Sequence, residues 1–131
     1  MRIAITLNEE LGVGLLANAA ACISSGLFAD QKGLCGRVIK GVDYDFAAIT
    51  KIPILIVKQN KKPWGELMKR AKRNNLRYVI FTKEAQTTTS YEEYASRVAN
   101  RKLEEIGVIG IGVLGDEKSV RKFCGDLPLL R

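Results

Sequence analysis

Two polar clusters break the apolar sequence where a ligand site would form. The first is Asn8-Glu9-Glu10, followed by the glycine pair Gly12-Val13-Gly14 at the head of a run of small residues. Backbone N–H groups left free at a helix start, with the positive end of the helix dipole, suit an anion or a carbonyl oxygen. The second is Lys83-Glu84-Ala85-Gln86-Thr87-Thr88-Thr89, which holds one cation, an amide and three hydroxyls. Lys83 would act there as a point charge for phosphate or carboxylate, and Gln86 with the threonines as hydrogen-bond donors. The plainer account is that Lys83 is solvated and the hydroxyls cap local backbone.

Several chemistries are excluded outright. The chain has no histidine, which removes Ser-His-Asp and Cys-His catalysis, histidine-ligated zinc and the usual proton shuttle near neutral pH. Its three cysteines, Cys22, Cys35 and Cys124, are odd in number and far apart. They form neither a disulfide framework nor a CxxC motif, and a reducing, cytoplasmic setting fits them. No metal or cofactor is implied. The glycine pair lacks the third glycine of a dinucleotide fingerprint and the lysine of a P-loop.

Charge is unevenly spread along the 131 residues, whose net charge is +7. Residues 1–50 hold four Lys/Arg against five Asp/Glu; residues 51–131 hold 17 against nine. Lys51 to Lys83 carries ten basic residues and one acid, Glu66. Such a block either binds an anionic polymer or forms a solvated face.

The positioning elements follow from periodicity. Ile3–Leu7 reads as a strand, and 11–26 as a helix rich in small residues (Ala17, Ala19, Ala20, Ala21, Cys22, Ser24, Ser25) that can lie close to a sheet. Asn18 is polar within that apolar helix and either bonds nearby backbone or faces a cleft. Cys22 reads as a small buried hydrophobe, since as a nucleophile it would have no histidine partner. The stretch mimics a signal peptide, but Glu9 and Glu10 stand where positive charge is required. Its apolar run is too short to span a membrane, so the expectation is a soluble protein.

Residues 34–42 suggest a short strand weakened by Gly36 and Gly41. The run Ile54-Leu55-Ile56-Val57 within 52–58 is a strand covered on both faces. Pro63 opens a helix whose buried stripe is Trp64, Leu67, Met68 and Ala71, with Lys69, Arg70, Lys72 and Arg73 facing away and Asn74-Asn75 at its end. Residues 77–82 form a strand. Ser90 and Glu93 have capping-box spacing before a helix over 91–102 that buries Tyr91, Tyr94, Ala95 and Val98. The glycines of the strand 106–114 predict tight packing against the first helix. A short helix follows, then an apolar tail, 126–131, expected to dock. The alternation predicts one domain, 1–131: a three-layer α/β/α sandwich around a mixed, mostly parallel sheet of about four strands.

Several of these stretches together resemble the peptidyl-tRNA hydrolase type II fold. They are the opening strand running through Leu11-Gly12-Val13-Gly14 into a small-residue helix, the strand Ile54–Lys58 with Leu67 to Leu76 after it, and the ending from Ile109-Gly110-Ile111-Gly112 to Gly125-Asp126-Leu127-Pro128-Leu129-Leu130. The likeness leaves out 33–50. The ending and the Thr82–Tyr94 segment look more like the uncharacterised bacterial branch of that fold, domain-of-unknown-function family 2000. The hydrolases carry lysine around the glycine pair, a histidine along the first helix, and an acidic residue in an Asp-Ala-Gly-Arg-Thr-like loop. Here those places hold Leu11, Val13 and Leu15, then Cys22, then Lys83-Glu84-Ala85-Gln86-Thr87. No catalytic residue carries over, and peptidyl-tRNA hydrolysis is not expected.

What the resemblance implies is a cleft where the first helix begins, beside the loop after the third strand. It would be lined by Asn8, Gly12, Gly14 and Asn18 on one side and by Thr82, Lys83, Gln86, Thr87 and Thr88 on the other. The first expected function is binding of a small anionic or nucleotide-like ligand there. The second is binding or processing of tRNA or other RNA through Lys61, Lys62, Lys69, Arg70, Lys72 and Arg73. The third is an enzyme using Lys83 with Glu84 or Cys22. A homodimer is expected from the resemblance and from the apolar tail.

Overall fold

The computed structural model describes all residues from Met1 to Arg131. The chain forms β1 (Arg2–Leu7), α1 (Val13–Phe28), β2 (Ile39–Lys40), β3 (Asp45–Phe46), β4 (Ile54–Lys58), α2 (Trp64–Arg73), β5 (Arg77–Thr82), α3 (Lys83–Gln86), α4 (Tyr91–Val98), a 3₁₀ turn (Leu103–Glu105), β6 (Val108–Gly115) and α5 (Glu117–Cys124). Four strands make one sheet in the order β4-β1-β6-β5, and β2-β3 is a separate hairpin.

One expectation is corrected: the sheet is not mostly parallel. Only β1 and β4 pair parallel, with Ile3 opposite Ile54 through Leu7 opposite Lys58. β6 runs antiparallel to both β1 and β5. Since β6 opposes both, β5 points the same way as β1 and β4. The βαβ alternation does yield three co-directional strands, but the last strand inserts between β1 and β5 and turns their contacts antiparallel. That insertion is a tertiary choice, made when the glycine-rich β6 finds the slot under α1.

The layers follow from the alternating strand faces. On one side Ile3, Ile5, Leu7, Phe81 and Ile109 meet Ala19, Ile23 and Leu27 of α1. On the other, Ala4, Ile111 and Val113 meet Leu67, Met68 and Ala71 of α2 and Val120, Phe123 and Cys124 of α5. The close approach predicted for β6 is present. A methyl built on Gly112 would overlap Ile23 Cγ2 and lie 2.9 Å from Leu27 Cδ1, and one on Gly110 would lie 2.6 Å from Leu7 Cδ2.

Side-chain caps set several helix starts: Asp116 caps α5 by accepting from Ser119 N at 2.8 Å, and Thr82, read only as a cleft residue, caps the short helix α3 by accepting from Ala85 N. Ser90 Oγ accepts from Glu93 N at 3.4 Å, but the Glu93 carboxylate turns to Arg97 at 2.7 Å, so only half of the capping box forms. Asn75 takes the left-handed conformation (φ 53°) just beyond α2. Pro63 is the residue before the first helical turn, one place earlier than read. α4 stops at Val98 and leaves Tyr91 exposed, with Tyr94, Ala95 and Val98 only half-buried, because it packs at the sheet's rim.

The apolar tail docks on its own chain. Leu130 N donates to Ile56 O and Lys58 N to Pro128 O, closing the β4 edge. The tail's backbone is therefore engaged within the chain, while the Leu129 side chain stays exposed.

Thr6 of β1 is fully buried and its hydroxyl has no partner. A buried donor without a bond destabilises the folded state. Thr6→Val is expected to stabilise the protein by about 1 kcal/mol in urea unfolding; a loss of stability would show that the hydroxyl is bonded in solution.

Candidate functional site

Three contacts stitch α1 to β5 and α3, and they leave a gap between them. Near the C-terminus of α1, Gly26 sits so close to β5 that an added methyl would meet Val79 Cγ2 at 2.9 Å. There Arg77 Nη2 also donates to Gly26 O (2.9 Å) and Ala29 O (3.3 Å), a cation at the negative end of the helix. Near the N-terminus, Gln86 Nε2 donates to Leu15 O at 3.4 Å. Between these ends lies a cavity of about 560 Å³, within the range that small ligands occupy.

Its walls come from four places. α1 contributes Asn18, Cys22, Ser25 and Gly26; β5 contributes Val79, Ile80 and Phe81; α3 contributes Ala85 and Gln86; the next loop and α4 contribute Thr88, Thr89, Ser90, Tyr91 and Tyr94. None of these side chains is charged. Tyr91 and Tyr94 meet edge to face, centroids 5.5 Å apart at 71°. Burial, then the Tyr91 and Glu84 neighbours, raises the Tyr94 phenol above its ordinary value, so it stays a neutral donor at physiological pH. Ser25 Oγ is turned back to Cys22 O at 2.7 Å. The Asn18 amide is exposed, bonds no other group of the chain and stands in the cavity wall.

The expected site residues divide accordingly. Asn18, Gln86 and Thr88 are brought together in the cavity wall. Asn8 is not: its Oδ1 accepts from Glu10 N at 3.1 Å and holds its own turn. Gly12 and Gly14 stand in open space at the exposed start of α1. Thr82 is buried as a helix cap. Thr87 donates to Lys83 O and accepts from Arg97 Nη1. Lys83 is exposed, outside the cavity, with its backbone N–H on Gly107 O at 2.7 Å. Glu84 accepts from Gly107 N with both oxygens (3.1 and 3.3 Å), which ties α3 to the residue before β6; no salt bridge joins it to Lys83. The cavity thus lies along the β5 edge, below the helix start where the resemblance implied a cleft. Sequence reasoning missed Tyr94, Thr89 and Ser90 as wall residues; the hydroxyl run 87–90 was the available signal.

The basic set also divides. Arg70 does not face away from the core. It is 12% exposed and donates to Asp126 Oδ1 (2.7 Å) and Oδ2 (3.1 Å), Glu66 Oε1 (3.1 Å) and Phe123 O (3.0 Å). Lys62 pairs with Asp126 at 3.3 Å. These two cations are structural. Lys61 and Arg73 are exposed, while Lys69 and Lys72 line a groove with Tyr78 on the opposite side of β5 from α1. No group of three or more cysteine or carboxylate side chains is placed to hold a metal ion, and no helix is long and apolar enough to cross a membrane.

Fold and cavity together define a small α/β protein with a mixed four-stranded sheet and an uncharged pocket at one sheet edge. Within that class, the chain belongs to a family described as protein of unknown function (DUF2000), whose model matches residues 1–131. A solved structure of a protein of unknown function, Atu0240 from Agrobacterium tumefaciens str. C58, superposes with a TM-score of 0.88 at 18% identity. The match covers 98% of this chain and 96% of that one. At this identity the likeness concerns the fold. No curated protein matches the chain.

Proposed function

We propose that the protein is a binding module for a small, uncharged, planar and polar ligand of the nucleobase or nucleoside kind, held in the cavity between α1, β5 and α4. The observation that carries the reading is the free Asn18 amide in an uncharged wall that also holds Gln86 and the Tyr94 ring. An amide matches the alternating donors and acceptors of a heterocycle edge, and an aromatic ring offers a stacking face. The expected anionic ligand narrows to an uncharged one, because the wall carries no cation to balance a phosphate or carboxylate. The same wall argues against an enzyme: Cys22 has no base beside it, and the chain has no histidine.

The test is a thermal-shift panel of nucleobases, nucleosides and their monophosphates, with bulk tRNA at two salt concentrations. A nucleoside at 100 times its Kd is expected to raise Tm by about 5 °C or more, and Asn18→Leu is expected to abolish the rise. A shift that survives Asn18→Leu, or none with any small molecule, overturns the reading. A shift with tRNA alone, lost at high salt, would move the function to Lys69, Lys72 and Tyr78.

A further inference from the structure

The segment that the cavity does not use is the most unusual surface of the molecule. Cys35 and Thr50 form an isolated bridge, Gly36 N donates to Ile49 O at 2.8 Å, and between them the chain runs out as the β2–β3 hairpin. Leu34 and Ile52 anchor its base in the core. The arm itself exposes Val38 (50%), Ile39 (56%), Val42 (102%), Tyr44 (80%), Phe46 (63%) and Ile49 (76%). Six residues of this size at these exposures present roughly 800 Å² in all, main chain and both hairpin faces included, whereas the largest patch on a typical monomer is about 300–600 Å². A two-stranded hairpin alone in water is marginal at best.

We propose that this arm is the interface of a homodimer, each copy laying its hairpin against the arm of a second copy about a two-fold axis. The area is one argument: a stable interface needs about 800 Å² from each partner, which the arm alone supplies. Charge is the other. Residues 35–50 hold Arg37 and Lys40 against Asp43 and Asp45 and are neutral in a chain of net charge +7, with Lys40 and Asp45 already paired at 2.8 Å. A neutral apolar surface meets its own copy without like-charge repulsion, which is what an isologous contact requires. The basic side of the molecule would repel its copy.

The experiment is sedimentation equilibrium of the full chain from micromolar to about 100 µM. The wild-type protein is expected to dimerise, and V42D and Y44D, each at an exposed arm position, are expected to raise the dimer Kd at least tenfold. The circular dichroism of the monomer should be unchanged in both variants. A wild-type chain that stays monomeric throughout overturns the proposal, including the case in which that monomer co-sediments with lipid vesicles. So does a dimer that both arm variants leave intact while Ala21→Glu, at an exposed position of α1, dissociates it.

Discussion

Gly112→Ala is expected to cost about 3 kcal/mol in denaturant unfolding, despite adding one methyl group in a strand where alanine normally improves on glycine. The built methyl overlaps Ile23 Cγ2 and crowds Leu27 Cδ1, both fully buried and both on the face of α1 that packs on β6. Neither can swing into solvent, so α1 must lift from the sheet or the side chains must leave their rotamers. Gly12→Ala and Gly14→Ala meet nothing within 4 Å and serve as controls, expected within about 0.5 kcal/mol of the parent. The cause is checked by coupling: Ile23→Ala combined with Gly112→Ala should cost less than the sum of the two singles, because truncating Ile23 vacates the space that the Gly112→Ala methyl invades. If Gly112→Ala alone were neutral, the close contact of α1 with β6 would be wrong. Because Asn18 and Cys22 ride on the same helix, the cavity between α1 and β5 would also change shape, and the nucleoside-induced shift should weaken with stability.

Arg70→Ala is the second large effect. The guanidinium links α2 to the last turn of α5 through Phe123 O and to the segment after it through Asp126, and is braced within α2 by Glu66. Removing it leaves the Phe123 carbonyl and the Asp126 carboxylate without their main partner, at an expected cost of about 2–3 kcal/mol. Arg70→Lys should recover only part of this, since an ammonium cannot make the two parallel bonds to Asp126. A pH series isolates the ionic share. The Arg70 hydrogen bond, assisted by Lys62, holds the Asp126 carboxyl at about 2 rather than its ordinary 3.8. A carboxylate whose folded pKa is depressed contributes fully above its unfolded value and loses that contribution as pH falls through the folded one. The wild-type protein should therefore lose roughly 1 kcal/mol from this group between about pH 4 and pH 2, a figure discounted for the half-exposed Asp126 side chain. Arg70→Ala should lose most of that slope. An unchanged pH profile would mean that Asp126 is solvated in solution.

Much of the architecture was readable along the chain. The apolar run of β4, the period of α2, the Ser90 cap and the glycines of β6 are local statements that backbone sterics and burial enforce wherever the chain folds. The glycines of β6 even named their partner helix. The polar character of Gln86 and Thr88, and the odd placement of Asn18 among apolar neighbours, marked three of the residues that line the cavity.

What the linear order could not decide were the long-range choices. The alternation of strands and helices set three strands in one direction, but whether β6 would add at an edge or insert between β1 and β5 depends on packing against α1. The basic stripe 69–73 looked uniform, yet Arg70 was drawn inward by Asp126, 56 positions later, while Lys69 and Lys72 stayed in solvent. The apolar tail gave no hint that its partner was the β4 edge, nor the arm that its hydrophobic residues would stay uncovered. Side-chain type and spacing determine which groups are available and which element carries them. Only tertiary packing, where burial is shared between residues far apart in sequence, decides which of them meet.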